Sequence, residues 1–381
     1  MRQFNLVKKL LDAQPNGSPF ISVYLNTEPN ETGKKDYDIF LKKQLSDHLA
    51  VLEAGSEERE NFESDSKKIS DFADSLDPST RGAAVFASAG NDEFFQTFEF
   101  AVPFTENEFF LFDRPFIFPL VRLMDRNPTF AVLAADTNSA YISVVRRAEE
   151  IKREDIQNTK TNRSEVGGWS QMRYQRAIDN FHQQHAKEVV EELEKIIRPG
   201  FIEHVVLVGD QAVIVPLLRE AMSEELSKKV IDSLAFNVNT PEHEVAEAAQ
   251  EAVAQHLAAA DKETVDHLLE VNYDGGIGVT GVEKTLEALL NGQVQELYLS
   301  ADPDSIVYRE GDIKVLLKTY APGLDDGAPD LNEKEYLIDE LIKQAALSAD
   351  SIRFVEDEHL LKTAGGVGAI LRYQAKGVTS S

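Results

Sequence analysis

Cysteine is absent from this chain of 381 residues. That excludes disulfides and thiolate-held metals, and it fits a reducing cytoplasm. Long apolar runs are missing too: none approaches the roughly 18–20 residues needed to cross a bilayer. The opening "MRQFNLVKKLLDAQPNG" is amphipathic but lacks the apolar core and small-residue cleavage site of a secretory signal. No membrane partner and a cytoplasmic location are therefore expected. Positive charge is scarce. Lys and Arg number 39 against 66 Asp and Glu, a formal charge of -27, which argues for solubility and against sequence-blind adhesion to nucleic acid or anionic lipid.

What is present is a globular chain, 42% hydrophobic, long enough for two or three domains. The pattern predicts an α/β protein of three domains, at 1–127, 128–240 and 241–381. In the first, "PFISVYLNT" reads as a buried strand and "DYDIFLKKQLSDHLAVLEAG" as an amphipathic helix. The charged "EERENFESDSKKISDFADSL" reads as a helix with a solvated face. Phe-rich "RGAAVFAS", "EFFQTFEF" and "NEFFLFD" read as strands separated by turn residues. No catalytic constellation stands out here.

The central domain opens with the apolar strand "TFAVLAAD", with "AYISVVRR" and "EEIKREDIQ" as the next strands. A Gly-Trp tip leads into a helix with apolar Ala177, Ile178, Phe181, Val189, Leu193 and Ile197. "HVVLVGD" (strand), "QAVIVPLLREAM" (helix) and "VIDSLAFNV" (strand) complete a mixed sheet layered with helices. The C-terminal domain reads as an α-β-α sandwich. A long Ala-rich acidic helix from Pro241 is followed by "GVEKTLEALLNGQVQELYLS" as helix, Gly stop and strand. "EYLIDELIKQAALSA" is a further helix, with "IRFVE" and "VGAILRY" as short strands.

Several motifs carry less than they promise. Gly276, Gly278 and Gly281 spell G-x-G-x-x-G, but a helix precedes them and no acidic residue ends a paired strand about 20 residues on. A loop reversing the chain between two helices explains them better than a dinucleotide site. His182 and His185 share a helix face at metal-ligand spacing, yet no third ligand has a motif-level claim. No metal is expected, and His204 reads as structural. Gly209 and Asp210 in "VVLVGD" lack the Lys-Ser/Thr pair of a phosphate loop and read as a strand end.

"SEVGGWSQMRYQRAIDNFHQQH", Ser164 to His185, is different. Between Ile156 and Arg176, Lys160, Arg163, Arg173 and Arg176 are opposed by Glu165 alone. A cationic tip on an acidic body engages phosphates locally, because charges act within a Debye length of ~8–10 Å. Gly167 and Gly168 permit left-handed backbone and close approach. Ser170 suits an N-cap, which puts Gln171 in the first helical turn among unpaired N–H groups. There a glutamine can hold water while free N–H groups face an oxyanion. Arg173 and Arg176, three apart, suit phosphates, and Trp169 offers a ring to a base or ribose.

"GGWSQMRYQR" resembles the Gly-Gly-Gln loop of archaeal and eukaryotic class-one peptide release factors, where Gly-Gly-Gln-Ser precedes a helix bearing Arg, an aromatic and Arg. Gly167, Gly168, Ser170, Arg173, Tyr174 and Arg176 align. Trp169 occupies the family's glutamine position, and a glutamine follows two residues later as Gln171, a shift that looks like the ribosome-quality-control peptidyl-tRNA hydrolases and their bacterial relatives. "GVEKTLEALLNGQVQELYLS" and "GGVGAILRY" resemble the C-terminal domain of release factors and Pelota, a fold akin to kink-turn-binding ribosomal proteins. On these residues the chain is identified as a bacterial member of the archaeo-eukaryotic release-factor superfamily over roughly 128–376.

The resemblance implies hydrolysis of the ester joining a peptide, or an amino acid, to the terminal ribose of tRNA. Gln171, Gly167 and Gly168 are then the catalytic residues, and Arg163, Trp169, Ser170, Arg173 and Arg176 the RNA-binding ones. No metal or cofactor is required. The implied partners are the ribosomal large subunit and the tRNA acceptor end, with a translational GTPase or other ribosome factor on the C-terminal domain. The first segment does not resemble the codon-reading domain of release factors and holds no Asn-Ile-Lys-Ser-type motif, so stop-codon decoding is not expected. A non-catalytic, Pelota-like ribosome or tRNA binder is the alternative, and a small-molecule enzyme built on the G-x-G-x-x-G turn a third.

Overall fold

The computed structural model describes residues 7–13, 17–29, 35–146, 149–157, 171–199, 202–273, 276–308, 333–356 and 361–373. The described residues form a mixed α/β protein with three sheets, and the chain divides into two compact units, 127–257 and 1–126 with 258–381. No helix of the described residues is long and apolar enough to cross a membrane.

The unit formed by 127–257 holds a five-stranded sheet. Its strands are β5 (Phe130–Ala135), β6 (Ser139–Arg146), β7 (Glu149–Gln157), β8 (His204–Val208) and β9 (Val230–Leu234), in the order β7-β6-β5-β8-β9. β7, β6 and β5 run antiparallel, while β8 joins β5, and β9 joins β8, in parallel. Both faces are covered, which is why β5 and β8 are apolar without alternation. Ala131, Leu133 and Val205 pack under α5 (Gln171–Ile197) and α6 (Ile214–Ala221), with Leu226 of the short α7 (Glu224–Lys229). Phe130, Val132, Val206 and Val208 point the other way, onto Val245, Ala249 and Val253 of α8 (Glu242–Val271). Strand residues therefore divide by parity between two helical layers.

The other unit carries two four-stranded sheets. In the first, β1 (Phe20–Asn26) pairs antiparallel with β2 (Gly82–Ser88) on one side and β4 (Glu108–Phe112) on the other, and β3 (Phe94–Phe100) lies beyond β2. One face packs on α2 (Asp36–Val51) and α3 (Glu57–Asp74) through Val23, Leu41, Phe62 and Ile69. The other face is aromatic: Tyr24 meets Phe86, Phe104 and Phe110 edge-on, and a ring series runs through Phe116 and Phe118 to Phe354. A short α1 (Lys8–Leu11) precedes this sheet and α4 (Phe118–Arg126) follows it.

Phe354 belongs to the second sheet, ordered β10 (Gly278–Thr280), β13 (Val367–Leu371), β11 (Val294–Ser300), β12 (Ser351–Val355). Tyr298 of β11 faces Val265 and Leu268 of α8. Its neighbours Leu297 and Leu299, also buried, point to the opposite side. α9 (Val282–Leu290) and α10 (Glu333–Ser348) pack on each other and on this sheet. The triad G-x-G-x-x-G is more than a chain-reversing loop. Gly278 opens β10, which pairs with β13, and Gly281, at φ 84, precedes α9. A Cβ on Gly276 would meet the Val271 carbonyl oxygen at 2.1 Å, so packing alone accounts for that glycine.

Charged groups are buried where the two sheets' elements meet. Arg114 lies between Asp339 (Nε to Oδ2, 3.3 Å) and Glu340 (Nη1 to Oε2, 2.5 Å) of α10, and stacks over the Tyr336 ring at 4.0 Å. Asp339 also accepts the Ile117 amide at 2.8 Å. Asp125 of α4 accepts the Phe354 amide at 2.8 Å, and Arg126 binds Asp261 at 2.9 Å and the Phe354 carbonyl at 2.9 Å.

Candidate functional site

The segment that the sequence singles out joins the edge strand β7 to α5. Helix α5 has 27 residues, and among its described side chains the fully buried apolar ones lie in the C-terminal half. Ala186, Val189, Val190, Leu193, Ile196 and Ile197 are buried. Toward the N-terminus the pattern thins: Ile178, Phe181 and His182 are half-buried, and Arg176, Asn180, Gln183 and Gln184 are exposed. At about 1.5 Å per residue, the stretch before His185 is roughly 20 Å of helix ahead of the anchored part. The first turn of a helix carries N–H groups without intrahelical partners and the positive end of the helix dipole.

Both roots of this segment meet one turn. Gln157, the last residue of β7, pairs with Ser139. Asp136 closes the β5–β6 turn by accepting the amides of Asn138 (2.6 Å) and Ser139 (2.7 Å) through Oδ1, while its own amide donates to the Ser139 carbonyl at 2.9 Å. His185, only 1% exposed, hydrogen-bonds the Ser139 backbone from α5. Burial holds its pKa below the usual 6.5, opposed by that hydrogen bond and by Asp136 and Glu188, so the ring is neutral at physiological pH. His185 is thus a buried pin between helix and turn, whereas His182, which shares its helix face, is half-buried. The "ADTNS" run carries the signal for this turn, a side chain closing its own loop.

Gln171 opens α5 and Arg173 follows within its first turn; Arg176 is exposed on the same helix. Arg163, Gly167, Gly168, Trp169 and Ser170 lie outside the described residues, as does the rest of 158–170. Elsewhere, the Gly209–Asp210 turn closes on itself: Asp210 accepts the amides of Ala212 (2.7 Å) and Val213 (2.9 Å), which leaves those donors engaged. His204 stacks edge-on with His256 at 5.3 Å. Among the described residues, no three His, Asp or Glu gather into a metal-binding group.

A long helix rooted at a pinned turn follows the glycine-rich, cationic segment that the sequence singles out. Residues 115–254 match the family model described as Bacterial archaeo-eukaryotic release factor family 10. The chain is 23% identical over 290 residues to Peptide chain release factor subunit 1 of Thermococcus kodakarensis, covering 67% of this chain and 69% of that one. With its counterpart of the same name from Methanobrevibacter smithii it shares 25% over 305 residues, covering 70% and 69%. A solved model of ribosome-bound archaeal Pelota and ABCE1 aligns at TM-score 0.41 and 15% identity over 77% of this chain and 78% of that one. The family match and these relatives together support membership of the archaeo-eukaryotic release factor superfamily. Within it, the matched model is that of family 10, and its span encloses β5 to β9, the tip and α5.

Proposed function

We propose that this protein hydrolyses the ester between a peptide, or an amino acid, and the terminal ribose of tRNA, acting at the ribosomal large subunit in release or rescue. The observation that carries the reading is that "GGWSQMRYQR" falls at the head of α5 inside the family match over 115–254. The central segment, 128–240, is the catalytic domain, flanked by 1–127 and 241–381. Gly167 and Gly168 let the backbone enter a narrow RNA cavity. Arg163, Arg173 and Arg176 hold phosphates, Ser170 and Trp169 contact RNA, and Gln171 orients water against the ester carbonyl. The attacking water gives its proton up as the ribose oxygen leaves; free N–H groups of the first helical turn face the developing oxyanion. No cofactor takes part. The C-terminal segment is the docking place for a translational GTPase or another ribosome factor, and the working compartment is the cytoplasm.

The test is peptide release from purified ribosome–peptidyl-tRNA complexes. Gln171→Ala and Gly168→Ala are expected to abolish release with the circular dichroism spectrum unchanged; wild-type rates in both variants would overturn the assignment. One feature favours a second reading: Trp169 stands where release factors have glutamine. In that reading the tip docks a Pelota-like, non-catalytic factor, and purified protein binds ribosomes without releasing peptide from any tRNA.

A further inference from the structure

The N-terminal sheet and its helices enclose a cavity that peptide release does not use. Its volume is about 440 Å³, within the range of small-molecule sites. It lies between the approach to β1, the end of α2 and the first half of α3. Leu52 and Phe62 give it an apolar wall. Asp65 lines it, only 3% exposed: Oδ2 accepts the Ala89 amide at 2.8 Å, while Oδ1 has no hydrogen-bond partner. His48, also on the lining, has Nδ1 at 2.9 Å from the Gln44 carbonyl. A carbonyl only accepts, so Nδ1 carries a proton. Glu57 and Glu58 are exposed at the rim.

Charge selects the ligand. Among the described residues no Lys or Arg is on the lining; Arg59, next to it in sequence, is committed to the Leu49 and Leu52 carbonyls and to Glu63. An anion would meet three carboxylates there, and the cation that acts on Asp65, Lys68, lies outside the lining and is paired with Glu93 at 3.8 Å. A metal ion would want several ligands, and no such group is gathered among the described residues. A buried carboxylate with an open acceptor is under-solvated, and a charge-assisted donor relieves it most. We propose that this cavity binds an organic cation, a guanidinium or primary ammonium on a short apolar stem, with the head on Asp65 and the stem along Leu52 and Phe62. Burial pushes Asp65 up to about 6, so it is largely ionised at neutral pH and becomes neutral on mild acidification.

The proposal is tested by calorimetric titration of the full chain with butylguanidine, with butylurea as the neutral control of equal shape. Butylguanidine should bind at least about tenfold more tightly, and Asp65→Asn should remove the difference. The same loss is expected in the unmodified protein as pH falls from 7.5 to 5, which needs no variant to fold. Binding of acetyl-Gly-Arg-Gly-amide as well assigns the cation to a peptide side chain; binding of butylguanidine alone assigns a free small molecule. Equal affinity for guanidine and urea, no binding of butylguanidine, or full affinity in a folded Asp65→Asn protein would overturn the proposal. None of these readouts depends on peptide release.

Discussion

Removing Arg114 is the sharpest test of how the non-contiguous unit is held together. The guanidinium is 8% exposed, and its partners Asp339 and Glu340 are 5% and 6% exposed. One cation therefore neutralises two buried carboxylates. Glu340 is held below the ordinary carboxylate range by Arg114 and Gln344 against the pull of burial, while burial pushes Asp339 up to about 6. Arg114→Met keeps the side-chain length and leaves both carboxylates unpaired. Breaking a buried pair from one side costs about 3–5 kcal/mol, and the stacking on Tyr336 adds up to about 2 more when desolvated. Hydrogen–deuterium exchange in peptides from α4 and α10 should then rise by roughly two to five orders of magnitude at pH 8. The deficit has a sign in pH. Without Arg114 the folded-state pKa of both acids lies above the unfolded value, so the protein regains stability as pH falls toward 4 and the carboxylates take up protons. A loss under about 1 kcal/mol, or one that is the same at pH 5 and pH 8, would refute the reasoning.

Other perturbations separate the two units. In the unit holding 1–126 and 258–381, burial raises Asp65 and Asp339 to about 6 and Glu108 to about 7. Raised carboxyls stabilise at low pH and lose that contribution as pH climbs through about 4 to 7, so exchange there, corrected for intrinsic rates, should quicken between pH 5 and 8. His185 has the opposite sign: its depressed pKa makes the folded form resist protonation, so α5 should loosen as pH falls below about 6.5. Flat profiles in both would remove the argument. Gly209→Ala would set a Cβ 2.5 Å from the Ala135 carbonyl oxygen and 2.8 Å from Ile214 Cγ2; a loss of about 1–3 kcal/mol in urea unfolding is expected. Arg176→Ala, at an exposed helix position, should change stability by less than about 0.5 kcal/mol while lowering the salt dependence of ribosome binding by about one charge.

Periodicity made much of this fold legible. The apolar runs at Phe130–Ala135 and His204–Val208 are strands because both faces are covered, and the apolar positions from Val189 to Ile197 mark where α5 meets its sheet. Helix α4, "FPLVRLMDR", escaped the reading. Seven of its residues are buried, Asp125 among them, and although Arg122, Asp125 and Arg126 fall three and four apart, 9 residues are too few for that spacing to stand out. Helix α7 and strand β10 are only 6 and 3 residues long, too short for periodicity to register. The charged helix α3 does expose most of its charges, but Asp65 is turned inward, and one inward acid in a run of outward ones leaves no trace in composition.

The tip shows the same division. Its residue types and spacing were enough to nominate Gln171, the glycines and the arginines for the proposed site, because the groups that would meet water and phosphate there lie at short range along the chain. The turn that pins its roots brings Asp136, Ser139 and His185 together from separate elements. Sequence alone determined the local elements and the chemistry each could carry, since periods of 2 and 3.6 residues and short motifs are local properties of a chain. Tertiary structure decided which strand neighbours which, that Arg114 finds acids more than 220 residues away, and that Asp65 lines a cavity. Those outcomes rest on burial, which is a property of the packed whole and not of any window of residues.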